Sequence, residues 1–507
     1  MDTKASGSHV IGRWITERAR LTPSRIAIEF LGREISYGEL DNGSTELATA
    51  LLRHGLVRGD RVATLTENRP EHVELLFACA KSGLVLTPLN CHLTAIELAA
   101  QLNAFSPSLV VASKMHFTKI EDACSISSSD ATPHNLEDLS AALEENLPKI
   151  ELPTINDDDT LLLIATSGTT GAPKGALLTH ANCFWTNLGL DLSVPISGDD
   201  VVLQVLPQFH IGGWNVQPLL AWWKGATVVL ESSFEPARVL ELVASRGVTM
   251  MMGVPTTYLL LAQEPGFNDA DLSSLRTVVA GGASMPTSLI ELWHARGVEV
   301  VQGYGLTEAS PNVFCLAPED AFTHAGWVGK PYAYVDVALY DNATGSFVDG
   351  VGQGEIFVRG PNVFPGYWDN PEATKDALKD GWLRTGDVAV RDEAGYYRIC
   401  GRNKEMYISG GENVYPAEVE QVLAAHRFVL EAAVIAVDHP RWGESGAAFI
   451  VVRPGEVLDD EELTNYCRTH LAPFKVPSEF HLISELPRTP IGKLDRVRLK
   501  TTLFQAS

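Results

Sequence analysis

The segment Thr166-Ser167-Gly168-Thr169-Thr170-Gly171-Ala172-Pro173-Lys174-Gly175 sets four hydroxyls, three glycines and one lysine directly behind the apolar run Leu161-Leu162-Leu163-Ile164. Glycines expose backbone N–H groups, hydroxyls donate further hydrogen bonds and lysine adds positive charge, which together make a cradle for phosphate. The order differs from the Walker loop, in which Gly, four residues and then Gly-Lys-Ser/Thr follow one another. Here the hydroxyls come first and the lysine precedes Gly175. Ordering so many glycines costs conformational entropy, which a bound ligand would offset. A flexible surface turn is the competing reading.

Phosphate bound here must be met by local groups, because the chain as a whole repels anions. Lys+Arg number 39 against Asp+Glu 63, a net charge of −24, which disfavours nucleic acid and anionic lipid as partners. With 45% hydrophobic and 20% charged residues, the composition is that of an ordinary soluble globular protein. A length of 507 residues exceeds what one hydrophobic core organises, so at least two domains are expected. The seven cysteines are scattered, with no CxxC pair, which makes both a cysteine zinc site and a disulfide framework poor readings. The stretch MDTKASGSHVIGRW has no apolar h-region, and no 18-residue apolar run occurs. No integral membrane segment is expected, and a reducing, cytoplasmic compartment is.

The elements that must position the loop alternate. HVIGRWITERAR carries a helical apolar stripe, IAIEF and RVATL read as strands, and PEHVELLFACAKSG opens with Pro and acid and closes with Gly, as helices do. Strand–helix alternation of this kind predicts parallel, doubly wound sheets. Residues 121–159, polar and Ser/Asp-rich, read as a surface excursion with one helix. From 200 the alternation resumes through DVVLQVLP, ATVVLE, PARVLELVASRGV, TMMMGVP, RTVVAGG and VEVVQGYG. Over 326–402 the helical pattern vanishes, and short strands between Gly, Pro and Asp turns predict a small β-barrel-like unit. Past about 404, PAEVEQVLAAH has Pro at the first helical position, EAAVIAVD and GAAFIVV read as strands, and DDEELTNYCRTHL reads as a helix. The expected fold is a large α/β N-terminal domain over 1–402, with two doubly wound sheets and a small β-barrel, followed by a mobile α+β domain over 403–507. The smaller domain carries only −4 of the charge.

The glycine-rich loop resembles the phosphate-binding signature of the adenylate-forming superfamily, which contains acyl-CoA synthetases, peptide-synthetase adenylation domains and beetle luciferases. Further matches occur in the same order: PQFHIGG (207–213), AGGAS (280–284), GYGLTE (303–308), GEIFVRGPNVFPGYW (354–368), GWLRTGDVA (381–389), GRNKEMYISGGENVYPAEVE (401–420) and PRTPIGK (487–493). Eight motifs in register, from about residue 10 to 500, make the resemblance specific. The chemistry it implies joins a carboxylate to the α-phosphate of ATP and expels pyrophosphate, so charge must be neutralised at phosphorus and at the leaving group.

The resemblance assigns roles residue by residue. Thr166, Ser167, Gly168, Thr169, Thr170, Gly171 and Lys174 would hold ATP phosphates, with Gly282, Ala283, Gly303, Tyr304 and Gly305 around the nucleotide. Glu308 offers a hard oxygen for Mg²⁺, with Thr170 in the metal shell. Thr307 offers a hydroxyl to the α-phosphate or the metal shell. Asp387 would accept both ribose hydroxyls, with Arg402 as the second ribose contact. Lys493 is the catalytic lysine that bridges substrate carboxylate and α-phosphate; Ile491 stands where relatives usually carry Ser or Thr, and Arg488 where they carry Lys. His210 is the aromatic gate, and Trp214, Gly281 and Gly282 wall an uncharged acyl pocket. No aspartate in LPQFHIGGWNV stands ready to hold an amine. Lys404 is the hinge, and Ser409, Gly410, Gly411 and Trp442 line the path of CoA.

Together these imply an ATP- and Mg²⁺-dependent acyl-CoA synthetase acting on a hydrophobic acid, fatty or aryl/steroid-type, by way of an acyl-adenylate. A homodimer is compatible with this. A ligase loading a carrier protein, a luciferase-like monooxygenase and a non-catalytic nucleotide-binding homologue are the alternatives. An acidic carrier would be repelled by the net charge, nothing specific marks a monooxygenase, and the joint presence of Lys493, Glu308, Asp387 and Arg402 argues against loss of catalysis.

Overall fold

A computed structural model describes residues 7–128, 132–139, 151–166, 173–410, 412–488 and 494–506. Two large sheets form its body. One has nine strands, in the order Lys330–Pro331, Asn312–Cys315, Glu299–Gly305, Thr277–Ala280, Met250–Gly253, Val201–Gln204, Thr227–Leu230, Ile26–Phe30 and Arg33–Ser36. Its inner strands, from Glu299–Gly305 to Ile26–Phe30, are parallel. The other has seven strands, in the order Gly366–Tyr367, Lys174–Thr179, Thr160–Thr166, Val85–Pro88, Arg61–Leu65, Leu109–Ala112 and Pro133–Asn135. Within the polar excursion, Pro133–Asn135 adds a parallel edge strand, a pairing that its composition does not announce.

The helix Pro70–Ser82 explains how the sheets are joined. It starts with Pro at its first turn, ends at Gly83 with φ of 73°, and is buried on nearly every side, including at Leu75, Leu76, Phe77, Ala78, Cys79 and Ala80. A helix apolar all round belongs inside a large protein. Its side chains share one core with Ile28 and Val228 of the first sheet and Leu86 and Leu162 of the second.

The barrel-like unit expected over 326–402 is a six-stranded antiparallel sheet built around Gly352–Arg359 and Trp382–Arg391. One correction applies here: a short helix, Pro371–Ala377, interrupts that region, capped by the Asn370 side chain accepting from the Ala373 N–H. Seven residues are too few to carry an amphipathic period against the surrounding turn residues. The last unit is a five-stranded sheet with the long hairpin Val429–His439 and Gly443–Val452, flanked by helices Pro416–Ala424 and Asp460–His470. Its apolar clusters draw on residues from 407 onward and share none with the clusters of the large domain among the described residues. No helix among them is long and apolar enough to cross a membrane.

Candidate active site

Parallel strands leave their loops at the carboxyl edge of a sheet, where open α/β folds bind ligands. The expected motifs lie at that edge of the nine-stranded sheet. PQFHIGG comes after Val201–Gln204, Gly281, Gly282 and Ala283 come after Thr277–Ala280, and Glu299–Gly305 runs into the turn Thr307–Ala309. Gly305 allows a close chain approach: a side chain there would run into the Pro311 carbonyl.

The phosphate loop grows from the hairpin of Thr160–Thr166 and Lys174–Thr179, with Thr166 directly opposite Lys174. The pairing fixes both ends of the loop; Ser167, Gly168, Thr169, Thr170 and Gly171 lie outside the described residues. Beyond this hairpin, Tyr367 pairs with Ala176, and Lys174 Nζ sits 5.4 Å from the centre of its ring. The Tyr367 hydroxyl donates to Glu308 Oε1 at 2.7 Å, and the Phe364 N–H donates to the Glu308 carbonyl at 2.9 Å. Glu308 is thus held by backbone and side chain, with Oε2 free of this clamp. Mg²⁺ bound with nucleotide needs one or two carboxylates and takes its remaining ligands from phosphate and water, a demand that Glu308 fits. Thr307, beside it, is half-buried.

A second cluster forms where the small antiparallel sheet meets the nine-stranded one. Asp387 and Arg402 face each other across paired strands, with Arg402 Nε 3.0 Å from Asp387 Oδ1. The Tyr304 hydroxyl donates to Asp387 Oδ2 at 2.6 Å, and the Asp387 N–H donates to Thr385 Oγ1 at 3.1 Å. Burial raises the Asp387 carboxyl above the usual carboxylate range, against the pull of Arg402 and the Tyr304 hydroxyl; burial and Asp387 in turn raise the Tyr304 phenol. Each Asp387 oxygen carries one partner and keeps capacity for another.

The acyl-pocket residues do not all stay together. His210 is half-buried, its ring 4.6 Å from Phe209, and Gly282 and Ala283 are exposed. Trp214 is a core residue and not a pocket wall. It is fully enclosed, donates from Nε1 to the Gln208 carbonyl at 2.6 Å and meets His72 edge-on at 5.0 Å. Burial lowers that histidine to a pKa of about 3, so Trp214 packs on a neutral ring. Trp214→Ala is therefore expected to lower stability by about 3–5 kcal/mol, read as the shift of a urea midpoint, rather than to lengthen the acyl channel.

In the small domain, Lys404 is exposed. Gly410 has φ of 62° and donates its N–H to the Trp442 carbonyl at 2.8 Å. A β-carbon on Gly410 would lie 2.7 Å from the Trp442 ring. Ser409 is fully buried, so neither its backbone nor its hydroxyl is open to a thiol in this arrangement, and Trp442 is half-buried. Gly411 and Lys493 lie outside the described residues. The sequence reading gives no role to Tyr367, Thr385 and Glu355, although all stand inside matched motifs. Two signals mark the first two: a tyrosine beside the glycine that pairs with the phosphate hairpin, and a hydroxyl two residues before Asp387.

Two family models match the chain: AMP-binding enzyme over residues 15–368 and AMP-binding enzyme C-terminal domain over 418–493. A feruloyl-CoA synthase of Amycolatopsis sp is 40% identical over 96% of this chain and 97% of its own. An indoleacetate–CoA ligase of Aromatoleum aromaticum is 37% identical over 96% of each. The solved o-succinylbenzoate coenzyme A synthetase from Bacillus subtilis, in complex with ATP and magnesium ion, is 32% identical, with a TM-score of 0.86 over 96% of this chain and 99% of its own. The chain belongs to the AMP-binding enzyme family, among its adenylate-forming acyl-CoA ligases.

Proposed function

We propose that this ligase joins an aromatic carboxylic acid to coenzyme A through an acyl-adenylate. The acid's carboxylate attacks the α-phosphorus of ATP and pyrophosphate leaves. The thiol then attacks the acyl carbonyl, and AMP leaves. The observation that carries this reading is the pair of clusters beside the strand Glu299–Gly305: Glu308, clamped by Tyr367 beside the phosphate hairpin, and Asp387 of the small antiparallel sheet, set between Tyr304 and Arg402. In this reading Asp387 and Arg402 orient the ribose, Tyr304 borders the base, and Lys174 with the loop hydroxyls receives the phosphates. Glu308 would hold Mg²⁺, which supplies charge neutralisation on the phosphates when bound. Lys493 meets the charge that develops at phosphorus. The boundary between the two domains falls at 402/403, with rotation about Lys404 exchanging Lys493 for the segment that carries Gly410 and Gly411.

The aromatic assignment draws on relatives named for feruloyl, indoleacetate and o-succinylbenzoate substrates, and on uncharged surroundings at Ile211, Gly212, Gly281 and Gly282. An apolar pocket with few polar groups suits a ring. A fatty acid is the competing substrate. A panel of hydroxycinnamic, indolic and benzoic acids against fatty acids of matched carbon number, with ATP, Mg²⁺ and CoA, separates the two. Aromatic acids should give kcat/KM at least about tenfold higher, since two or three well-placed buried methylene equivalents are worth roughly that ratio or more. Preference for straight-chain acids, or adenylate formation without transfer to CoA, would reject the reading.

A further inference from the structure

Glu355 is 3% exposed, yet no step of the proposed reaction uses it. A carboxylate so deeply buried must be matched by donors, and its donors come from three places in the chain. Oε1 accepts from the Gly386 N–H at 3.3 Å. Oε2 accepts from Asn342 Nδ2 at 3.1 Å and from Asn403 Nδ2 at 3.0 Å, and lies 3.5 Å from the guanidinium of Arg384. Two of these are next to functional positions: Gly386 precedes Asp387, and Asn403 stands between Arg402 and Lys404.

The strand geometry explains why the carboxylate can reach both. Glu355 lies in Gly352–Arg359, opposite Val388 of Trp382–Arg391, and the pairing slips between Glu355 and Phe357. An irregularity of this kind bends a strand and re-aims its side chains. It falls beside Gly386, whose φ of 74° turns the chain into Asp387. The Asn403 N–H also donates to the Gly386 carbonyl at 2.9 Å. Asn403 is therefore tied twice to this corner, once through backbone and once through Glu355. The next residue, Lys404, is exposed.

We infer that Glu355 is a positioning residue: its buried carboxylate fixes Asn403 to the Asp387 turn, so that Arg402 stays with the nucleotide site while the chain turns only from Lys404 onward. The inference rests on the proposed ribose role of Asp387 and hinge role of Lys404. It acts on nucleotide binding through the place of Asp387 and Arg402, not through contact with the reacting atoms.

The polarity of the Glu355–Asn403 bond supplies the test. Glu355→Gln keeps an oxygen for Gly386 but turns an amide N–H against the Asn403 amide. Asn403→Asp sets two carboxylates face to face. The double variant E355Q/N403D restores one bond with donor and acceptor exchanged. In the adenylation half-reaction, each single variant should raise the KM for ATP about tenfold with kcat changed less than threefold. The double variant should return KM to within about threefold of wild type. Thermal melting of every variant, and the KM of Asp387→Asn, accompany these measurements. Single variants with unchanged KM beside an Asp387→Asn of raised KM would overturn the inference alone. So would a double variant whose KM increase is the product of the two single effects. An unchanged KM in Asp387→Asn would instead overturn the ribose assignment. A fall in melting temperature and kcat with no KM change would make Glu355 a stabilising residue only, and would also overturn the inference.

Discussion

Lys493→Ala should slow adenylate formation by roughly 10²–10³-fold, the usual effect of removing one electrostatic group aimed at a developing oxyanion. Thioester formation from acyl-adenylate supplied ready-made should keep most of its rate, because the bonds made and broken in that half are at the acyl carbon and no pentavalent phosphorus forms. Pyrophosphate release measures the first half-reaction and CoA thioester the second. The described chain beyond the lysine is anchored at Arg496. Arg496, three residues on, pairs with Glu420 at 2.6 Å and with Glu405, beside the hinge, at 3.2 Å, and donates to the Val434 carbonyl at 2.7 Å. Burial would lower the Arg496 pKa, but the two glutamates raise it overall. Equal loss of both half-reactions in Lys493→Ala would remove the lysine from the chemistry of adenylation.

Glu308→Gln should reduce adenylation by roughly 10²-fold or more at ordinary Mg²⁺, with part of the loss recovered as Mg²⁺ is raised. Glutamine keeps an acceptor for the Tyr367 hydroxyl, so the clamp at Oε1 survives while the negative charge does not. Tyr367→Phe does the reverse. It keeps the charge and frees the carboxylate to rotate, and a loss of roughly tenfold, typical of a partner that orients a metal ligand, is expected. Calorimetric titration of ATP at several Mg²⁺ concentrations checks both without turnover. Variants that bind ATP with wild-type Mg²⁺ dependence would place the metal on other residues.

The fold is legible in the sequence where one period dominates a segment. Pro70–Ser82, Pro236–Arg246 and Pro416–Ala424 each begin with Pro in the first turn, where its missing N–H breaks no helical bond. Most inner strands are short apolar runs, such as Val201–Gln204 and Thr227–Leu230, and one is methionine-rich, Met250–Gly253, because parallel strands are covered on both faces. Pro371–Ala377 escaped because a two-turn helix with one buried residue, Ala373, carries no stripe. Pro133–Asn135 escaped because an edge strand needs no apolar face. At the candidate site, the family resemblance named Glu308, Asp387 and Arg402, and the register pairs the last two. It could not separate Trp214 as core from Trp214 as lining, since an indole beside two glycines serves either purpose and only its enclosure decides. Nor could it assign Tyr367 or Glu355, whose partners Glu308 and Asn403 lie 59 and 48 residues away in the chain.

Among the described residues, the apolar clusters on either side of the proposed hinge are separate: Tyr407, Val419 and Leu463 pack among themselves, while Trp214, Phe77 and Trp222 belong to another cluster. Mutational drift can therefore proceed in the two interiors almost independently. Changes that reshape the acid pocket must be tolerated by the large domain alone, because distant sites without shared partners contribute almost additively to stability. In the proposed reaction the small domain would meet the same adenylate phosphate and the same thiol whatever acid is attached, and so would have no need to change with them. A lineage built this way can exchange one substrate for another by altering a few loop residues at one sheet edge, and still inherit its thiol chemistry intact.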